Sequence, residues 1–250
     1  MRLIARLDIK NNHVIKGIHL EGLRKVGDPH DLALRYYEEG VDELLFMDAV
    51  ASLYDRNNLF HIIEAACREV FIPITIGGGI RTLSDIDRAL KSGADKVALN
   101  TGAVNNPALI REASLRYGSQ AVVASIEAKR RDGHWLVYID NGREATERCA
   151  LEWARELQEL GAGELLITSV DQEGTKKGFD IELCRTINKA LTIPVIVCGG
   201  LGSVQHISTL MDATKPSAIA CASVLHYKEL AVAELKSAMS DKGACSRAAA

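Results

Sequence analysis

The stretch IPITIGGGI at residues 72–80 returns, little altered, as IPVIVCGGL at 193–201. Each sets a proline before a short branched apolar run and ends it in glycine. A run of that length, apolar on both faces, reads as a strand of a parallel sheet covered on both sides. Two more pairs keep the same spacing. LDIKNNHVIKG (7–17) matches IEAKRRDGHWLVY (126–138), and GVDELLFMD (40–48) matches GAGELLITS (161–169), always near 120 residues apart. A constant offset makes the chain two copies of one module. Neither copy alone could bury the open edges of its sheet.

Working outward, apolar runs alternate with helical periods. Strands are predicted at 3–9, 43–48, 72–77, 96–100, 121–127, 164–170, 193–199 and 218–223. Helices are predicted at 28–40, with Asp28 as N-cap, Pro29 in the first turn and Gly40 as the stop, and at 84–93, with Ser84 as cap and Gly93 as the stop. Further helices are predicted near 57–69, 106–117, 146–160, 180–190, 203–213 and 228–238. Two turns, KNNH (10–13) and RDGH (131–134), predict hairpins inserted after strands one and five; Asp132-Gly133 suits a type I′ turn. Eight strand–helix units predict a closed (β/α)8 (TIM) barrel of two half-barrels over residues 1–240, with 241–250 as a disordered tail. An open doubly wound sheet is the rival. No stretch resembles a linker, which favours the single barrel.

Composition narrows the function. Of 250 residues, 47% are hydrophobic and 25% charged, an ordinary globular balance, and the net charge of −3 gives no overall pull toward nucleic acid or anionic membrane. The start MRLIARLDIK lacks a secretory h-region, and no apolar run is long enough to span a bilayer. Six scattered cysteines (67, 149, 184, 198, 221, 245) lack disulfide or zinc spacing and read as reduced thiols of a cytoplasmic protein. No metal and no cofactor are expected.

The candidate chemistry sits at strand ends. Glu127 closes the apolar run of strand five, and Asp8 holds the equivalent place in strand one. In a barrel these strands lie on opposite sides of the ring, so both carboxylates would face one mouth. Two carboxylates across a pocket suit paired proton transfer. The alternative is a salt bridge from each to the lysine two residues on, Lys10 or Lys129. The glycine turns Gly77-Gly78-Gly79 and Gly199-Gly200, with Gly202, follow strands three and seven. Chain without side chains lets backbone N–H groups close on an anion. Asn100 and Thr101, and Ala222 and Ser223, would add polar groups and the start of a helix after strands four and eight. Two such cradles predict a long substrate with a phosphate at each end.

LDIKNNHVIKG, GDP (27–29), DELLFMDAVAS, GGGIR, GADKVALNTGAV, GSQAVV, AKRRDG, GAGELLITSVDQEGT and ASVLHY together resemble the cyclase subunit of imidazole glycerol phosphate synthase, over about residues 1–238. The resemblance implies a (β/α)8 barrel of histidine biosynthesis. Its reaction joins ammonia to a bisphosphorylated ribulosyl aminoimidazole carboxamide nucleotide, giving imidazole glycerol phosphate and an aminoimidazole carboxamide ribotide. It implies a glutaminase subunit docked as a heterodimer on the N-terminal face. By position, Asp8 matches the first catalytic aspartate and Lys16 an active-site lysine. Glu127 stands where that family has its second catalytic aspartate, and Glu173 where it usually has aspartate. Asp171, Gly174 and Thr175, in the same loop as Glu173, complete the substrate-binding set. Arg2, Glu43, Lys96 and Glu164 match a charged ring at the ammonia entrance. The two glutamates keep open a relative that aminates another acceptor, as in amidino-sugar synthesis for surface polysaccharide, and a non-catalytic glutaminase activator. His226, Trp135, Tyr138, Cys198 and Cys221 read as packing residues.

Overall fold

The computed structural model describes residues 1–49, 59–241 and 243. Its strands are β1 (Arg2–Lys10), β2 (His13–Ile18), β3 (Glu21–Gly27), β4 (Glu43–Asp48), β5 (Ile74–Gly77), β6 (Lys96–Leu99), β7 (Val122–Arg131), β8 (His134–Ile139), β9 (Glu144–Cys149), β10 (Glu164–Ser169), β11 (Val195–Cys198) and β12 (Ala218–Cys221). Eight of them pair in parallel in the order β1, β4, β5, β6, β7, β10, β11, β12; β12 then pairs with β1 and closes the ring. The barrel is therefore the fold, not the open sheet. Equivalent strands of the two halves start 120 to 122 residues apart, from β1 and β7 to β6 and β12.

Closure sorts the side chains into two cores. Leu3, Leu7, Leu44, Phe46, Ile74 and Ile76 pack outward under the helices, whereas Ile4, Leu45, Met47, Ala98, Val123, Leu166, Ile196 and Ala218 fill the barrel. Strand alternation makes the division: neighbouring residues point to opposite faces. Both faces being apolar is why the strands read as unbroken hydrophobic runs.

The predicted hairpins form, each as an antiparallel extension of a barrel strand. β1 continues into β2 and β3, and β7 into β8 and β9. Asp132 and Gly133 both have positive φ (47° and 84°), as a type I′ turn requires.

The helices are α1 (Pro29–Glu38), α2 (Leu59–Ala66), α3 (Leu83–Lys91), α4 (Thr101–Asn105), α5 (Ala108–Tyr117), α6 (Ala150–Glu159), α7 (Ile181–Ala190), α8 (Val204–Ala213), α9 (Ser223–His226) and α10 (Val232–Ser240). Asp28 caps α1, accepting from the backbone N–H of His30 at 2.8 Å, and Pro29 opens it. Three expectations need correction. The cap of α3 is Thr82, not Ser84; Thr82 and Asp85 exchange bonds in a capping box, a pattern that starts two residues before Ser84. Residues 144–149 are a strand, because the β8 extension recruits them before α6 can start. The segment 106–117 begins only at Ala108, after Pro107, with the separate turn α4 before it.

Among the described residues no helix is long and apolar enough to cross a membrane. The five described cysteines are free thiols. Cys245 and most of the predicted tail lie outside the described residues.

Candidate active site at the barrel mouth

β1 sends Arg2, Ile4, Arg6 and Asp8 into the barrel in succession, and the interior is layered accordingly. At the strand starts Arg2 bonds Glu43 and Glu164, the latter at 3.0 Å, while Lys96 reaches Glu43 at 3.3 Å and Glu164 at 3.2 Å. The four predicted residues thus close a ring of alternating charge. The apolar layer of Ile4, Leu45, Ala98 and Leu166 lies above it. Above that come the charges at the strand ends.

Asp8 and Glu127 occupy equivalent places with contrasting surroundings. Each is 5% exposed. Asp8 has a cation on both oxygens: Arg6 Nε donates to Oδ1 at 2.8 Å and Lys16 Nζ to Oδ2 at 3.3 Å. Burial alone would raise its pKa, but the two cations outweigh it and hold Asp8 at about 2. Lys16 also bonds Glu173, and these two carboxylates keep its ammonium charged against the cost of burial.

Among the described residues Glu127 makes no ion pair. Its Oε2 accepts from the Asn100 amide at 3.1 Å and the Gly142 backbone N–H at 2.8 Å. Burial pushes it up to about 7; the Asp8 and Asp140 charges add to the rise, and Arg6 and the Gly142 bond restrain it. One carboxyl is fixed as an anion, and the other exchanges a proton near neutrality. Neither Lys10 nor Lys129 is the partner. Lys10 is exposed, and Lys129 lies over the Tyr138 ring, 5.6 Å from its centroid.

Two glycine-lined cavities flank the carboxylates. The first is lined by Gly78, Gly79, Asn100, Thr101 and Gly102, with Asp48, Arg81, Asn141 and Glu127 itself. The second is lined by Glu173, Gly174, Gly199, Gly200, Ala222 and Ser223. Glycine is required at the turns. Gly78 has φ +89°, and a Cβ there would stand 2.3 Å from the Asp48 carbonyl oxygen; at Gly200 (φ +100°) it would stand 1.9 Å from that of Gly178. The helices beginning at Thr101 and Ser223 are five and four residues long. Their dipoles are slight, so the bare backbone N–H groups dominate any attraction for an anion.

A family model described as histidine biosynthesis protein matches residues 2–231. The chain belongs to that family. It is also 55% identical over 209 residues to the imidazole glycerol phosphate synthase subunit HisF of Legionella pneumophila, an alignment covering 83% of this chain and 99% of that relative.

In this histidine-biosynthesis family member, some candidate residues stand apart from the cavities. Asp171 accepts from the Arg130 backbone N–H at 2.7 Å and ties the β7 extension to the loop after β10. The Thr175 hydroxyl donates to the Gln172 carbonyl at 2.8 Å, within its own loop. Thr101, by contrast, lines the first cavity, and its Oγ1 accepts from the Asp140 backbone N–H at 3.1 Å, joining that cavity to the turn that presents Gly142. His226 packs inside, stacked on Tyr36 with its Nδ1 2.6 Å from the Tyr36 hydroxyl; burial and Lys16 pull it down to about 4, so it is neutral. Burial raises both the Cys198 thiol, to about 11, and the Cys221 thiol, which keeps them protonated.

Sequence reading missed Arg6 and Gly142. Arg6 carried a signal: a charge between Ala5 and Leu7 in a buried strand demands a partner, by the reasoning that picked out Glu127. Gly142 had none, because the contact joins residues 15 apart through a turn whose course depends on β8 and β9.

Proposed function

We propose that the mouth divides the proton work of an ammonia-dependent cyclase between its two carboxyl groups. The chain is a cyclase subunit of the imidazole glycerol phosphate synthase type, acting in histidine biosynthesis. The observation that carries the division of labour is the contrast between Asp8, held at about 2 by two cations, and Glu127, raised to about 7. Asp8 is the permanent anion, which orients the attacking ammonia and balances positive charge as it adds. Glu127, which lines the first cavity, takes and returns protons during ring closure and cleavage. The two cradles hold the terminal phosphates of the substrate. A phosphate in the second cradle competes for Lys16 and frees one Asp8 oxygen for the reacting centre.

The partner is a glutaminase, and its docking on the N-terminal face is part of the proposal. The ring of Arg2, Glu43, Lys96 and Glu164 supports it, being closed by ion pairs at the foot of an apolar interior. A neutral molecule of ammonia's size crosses such an interior at lower cost than an ion. The amidino-sugar and non-catalytic readings gain nothing from the comparisons, which both point to histidine biosynthesis.

The test is turnover of the bisphosphorylated nucleotide with ammonium salt in place of the glutaminase. The expected result is product formation with a pH limb near 7. Glu127→Gln should lower kcat by about 100-fold and abolish that limb. Absence of turnover at high enzyme concentration would refute the cyclase reading for this mouth.

A further inference from the structure

Arg6 has no counterpart in the candidate site as read from sequence, yet it is the most enclosed charge at the mouth, 1% exposed. It rises from β1 and reaches across the barrel. Its Nε holds Asp8 at 2.8 Å, while Nη1 lies 3.2 Å from Thr168 Oγ1 on β10 and 3.6 Å from Cys198 Sγ on β11. β10 is three strands from β1 around the ring, so the guanidinium spans the interior. It forms a floor between the apolar layer and the substrate cavities. The contacts continue in a circuit: Asp8 to Lys16, Lys16 to Glu173, Glu173 to Cys198 Sγ at 3.8 Å, and Cys198 back to Arg6.

Resting on the cyclase reading above, we propose that Arg6 is a positioning residue for the reaction. It fixes the orientation and charge of Asp8 from below and, through Asp8, sets where Lys16 stands in the adjoining cavity, which shares Gly174 and Ser223 with the second cradle.

The planar fork of arginine suits this task. One edge engages the carboxylate while the far nitrogen is anchored on the opposite wall, so the Asp8 carboxylate cannot swing. A lysine offers the charge without the second anchor. Without any cation at position 6, Asp8 keeps only Lys16, which it shares with Glu173, and burial then favours the protonated acid. Glu173 fits the same logic: it meets Lys16 and the Cys198 thiol together, closing the circuit that Arg6 begins.

The experiment compares wild type, Arg6→Met and Arg6→Lys in ammonium-driven turnover of the bisphosphorylated nucleotide between pH 5 and 9. Wild type should show the single limb of Glu127. Arg6→Met should lose about 100-fold in kcat, as misplacement by about an ångström does. It should also gain a second acid-side limb between pH 5 and 7, because Asp8 then titrates in that range. Arg6→Lys should keep the single limb and lose about 10-fold in kcat. A loss in Arg6→Met with an unaltered pH profile would mean only a structural role and overturn the proposal, as would full activity in either variant. If Arg6→Met does not fold, the Arg6→Lys profile decides: a second limb there, or undiminished kcat, overturns it. Inactive wild type would instead refute the cyclase reading on which the proposal rests.

Discussion

The two half-barrels place a carboxyl group at the same point and treat it in opposite ways. In the first half, Asp8 is gripped by Arg6 and Lys16. In the second, Glu127 receives only neutral donors, from Asn100 and Gly142. The backbone repeat is nearly exact in spacing, but the charge environment is not repeated. The inward residue two before Asp8 is Arg6, and the inward residue two before Glu127 is Ser125. That difference, together with Lys16 on the second Asp8 oxygen, separates a fixed anion from a titrating acid. A duplicated fold therefore supplies matched positions, and a few inward side chains then assign them different work.

Stability gives the sharpest way to break this comparison. Asp8→Asn leaves Arg6 and Lys16 short of a buried counter-charge, and should destabilise the fold at pH 7 by about 3–5 kcal/mol. Glu127→Gln should act with the opposite sign. The folded-state pKa of Glu127, about 7, lies above its ordinary 4.5, so its contribution to stability is fully present below 4.5 and is lost as pH rises through 7. At pH 8 the Gln variant should be more stable than wild type by roughly 2–3 kcal/mol, and at pH 4 the two should agree. Asp8, held at about 2 against an ordinary 3.8, stabilises above 3.8 and loses that contribution as pH falls toward 2. Thermal melts from pH 2 to 8 check both signs; a stabilising Asp8→Asn would end the distinction between the halves.

The cradles sharpen the comparison at a smaller scale. Gly78→Ala and Gly200→Ala each drive a Cβ into a backbone carbonyl. Each should raise KM about 10-fold with a lesser change in kcat, as the proposal that the two cradles hold the two ends of the substrate alike requires. Strongly unequal effects, measured in the same ammonium-driven assay, would show that one cradle dominates binding.

The smallest effect is expected at the barrel foot. Lys96→Met leaves Glu43 and Glu164 facing each other with only Arg2 between them. Glutamine-driven turnover in the complex with the glutaminase should fall about 3–5-fold more than ammonium-driven turnover, because the disturbed ring lies on the proposed ammonia route and not on the other. Equal losses by both routes would separate the ring from ammonia delivery.

Much of this was legible beforehand because it rests on local rules. Apolar runs of strand length, the Asp28-Pro29 helix start and the Asp132-Gly133 turn each follow from the conformational preferences of a few neighbouring residues. The repeat in IPITIGGGI and IPVIVCGGL revealed the two halves, and with them the opposition of Asp8 and Glu127. The errors were local competitions settled at a distance. Residues 144–149 have no strand signature of their own and extend because β8 offers an unpaired edge. Thr82 takes the cap from Ser84 because Asp85 answers it.

The sequence by itself determined the barrel, its duplication, the glycine turns and which residues carry charge at the strand ends, since each depends on spacing and residue type. Only the tertiary structure decided what those charges are. Whether a buried carboxyl is an anion or an acid depends on the cations within a few ångströms, and Arg6 meets Thr168 and Cys198, 162 and 192 residues away, only because the ring closes.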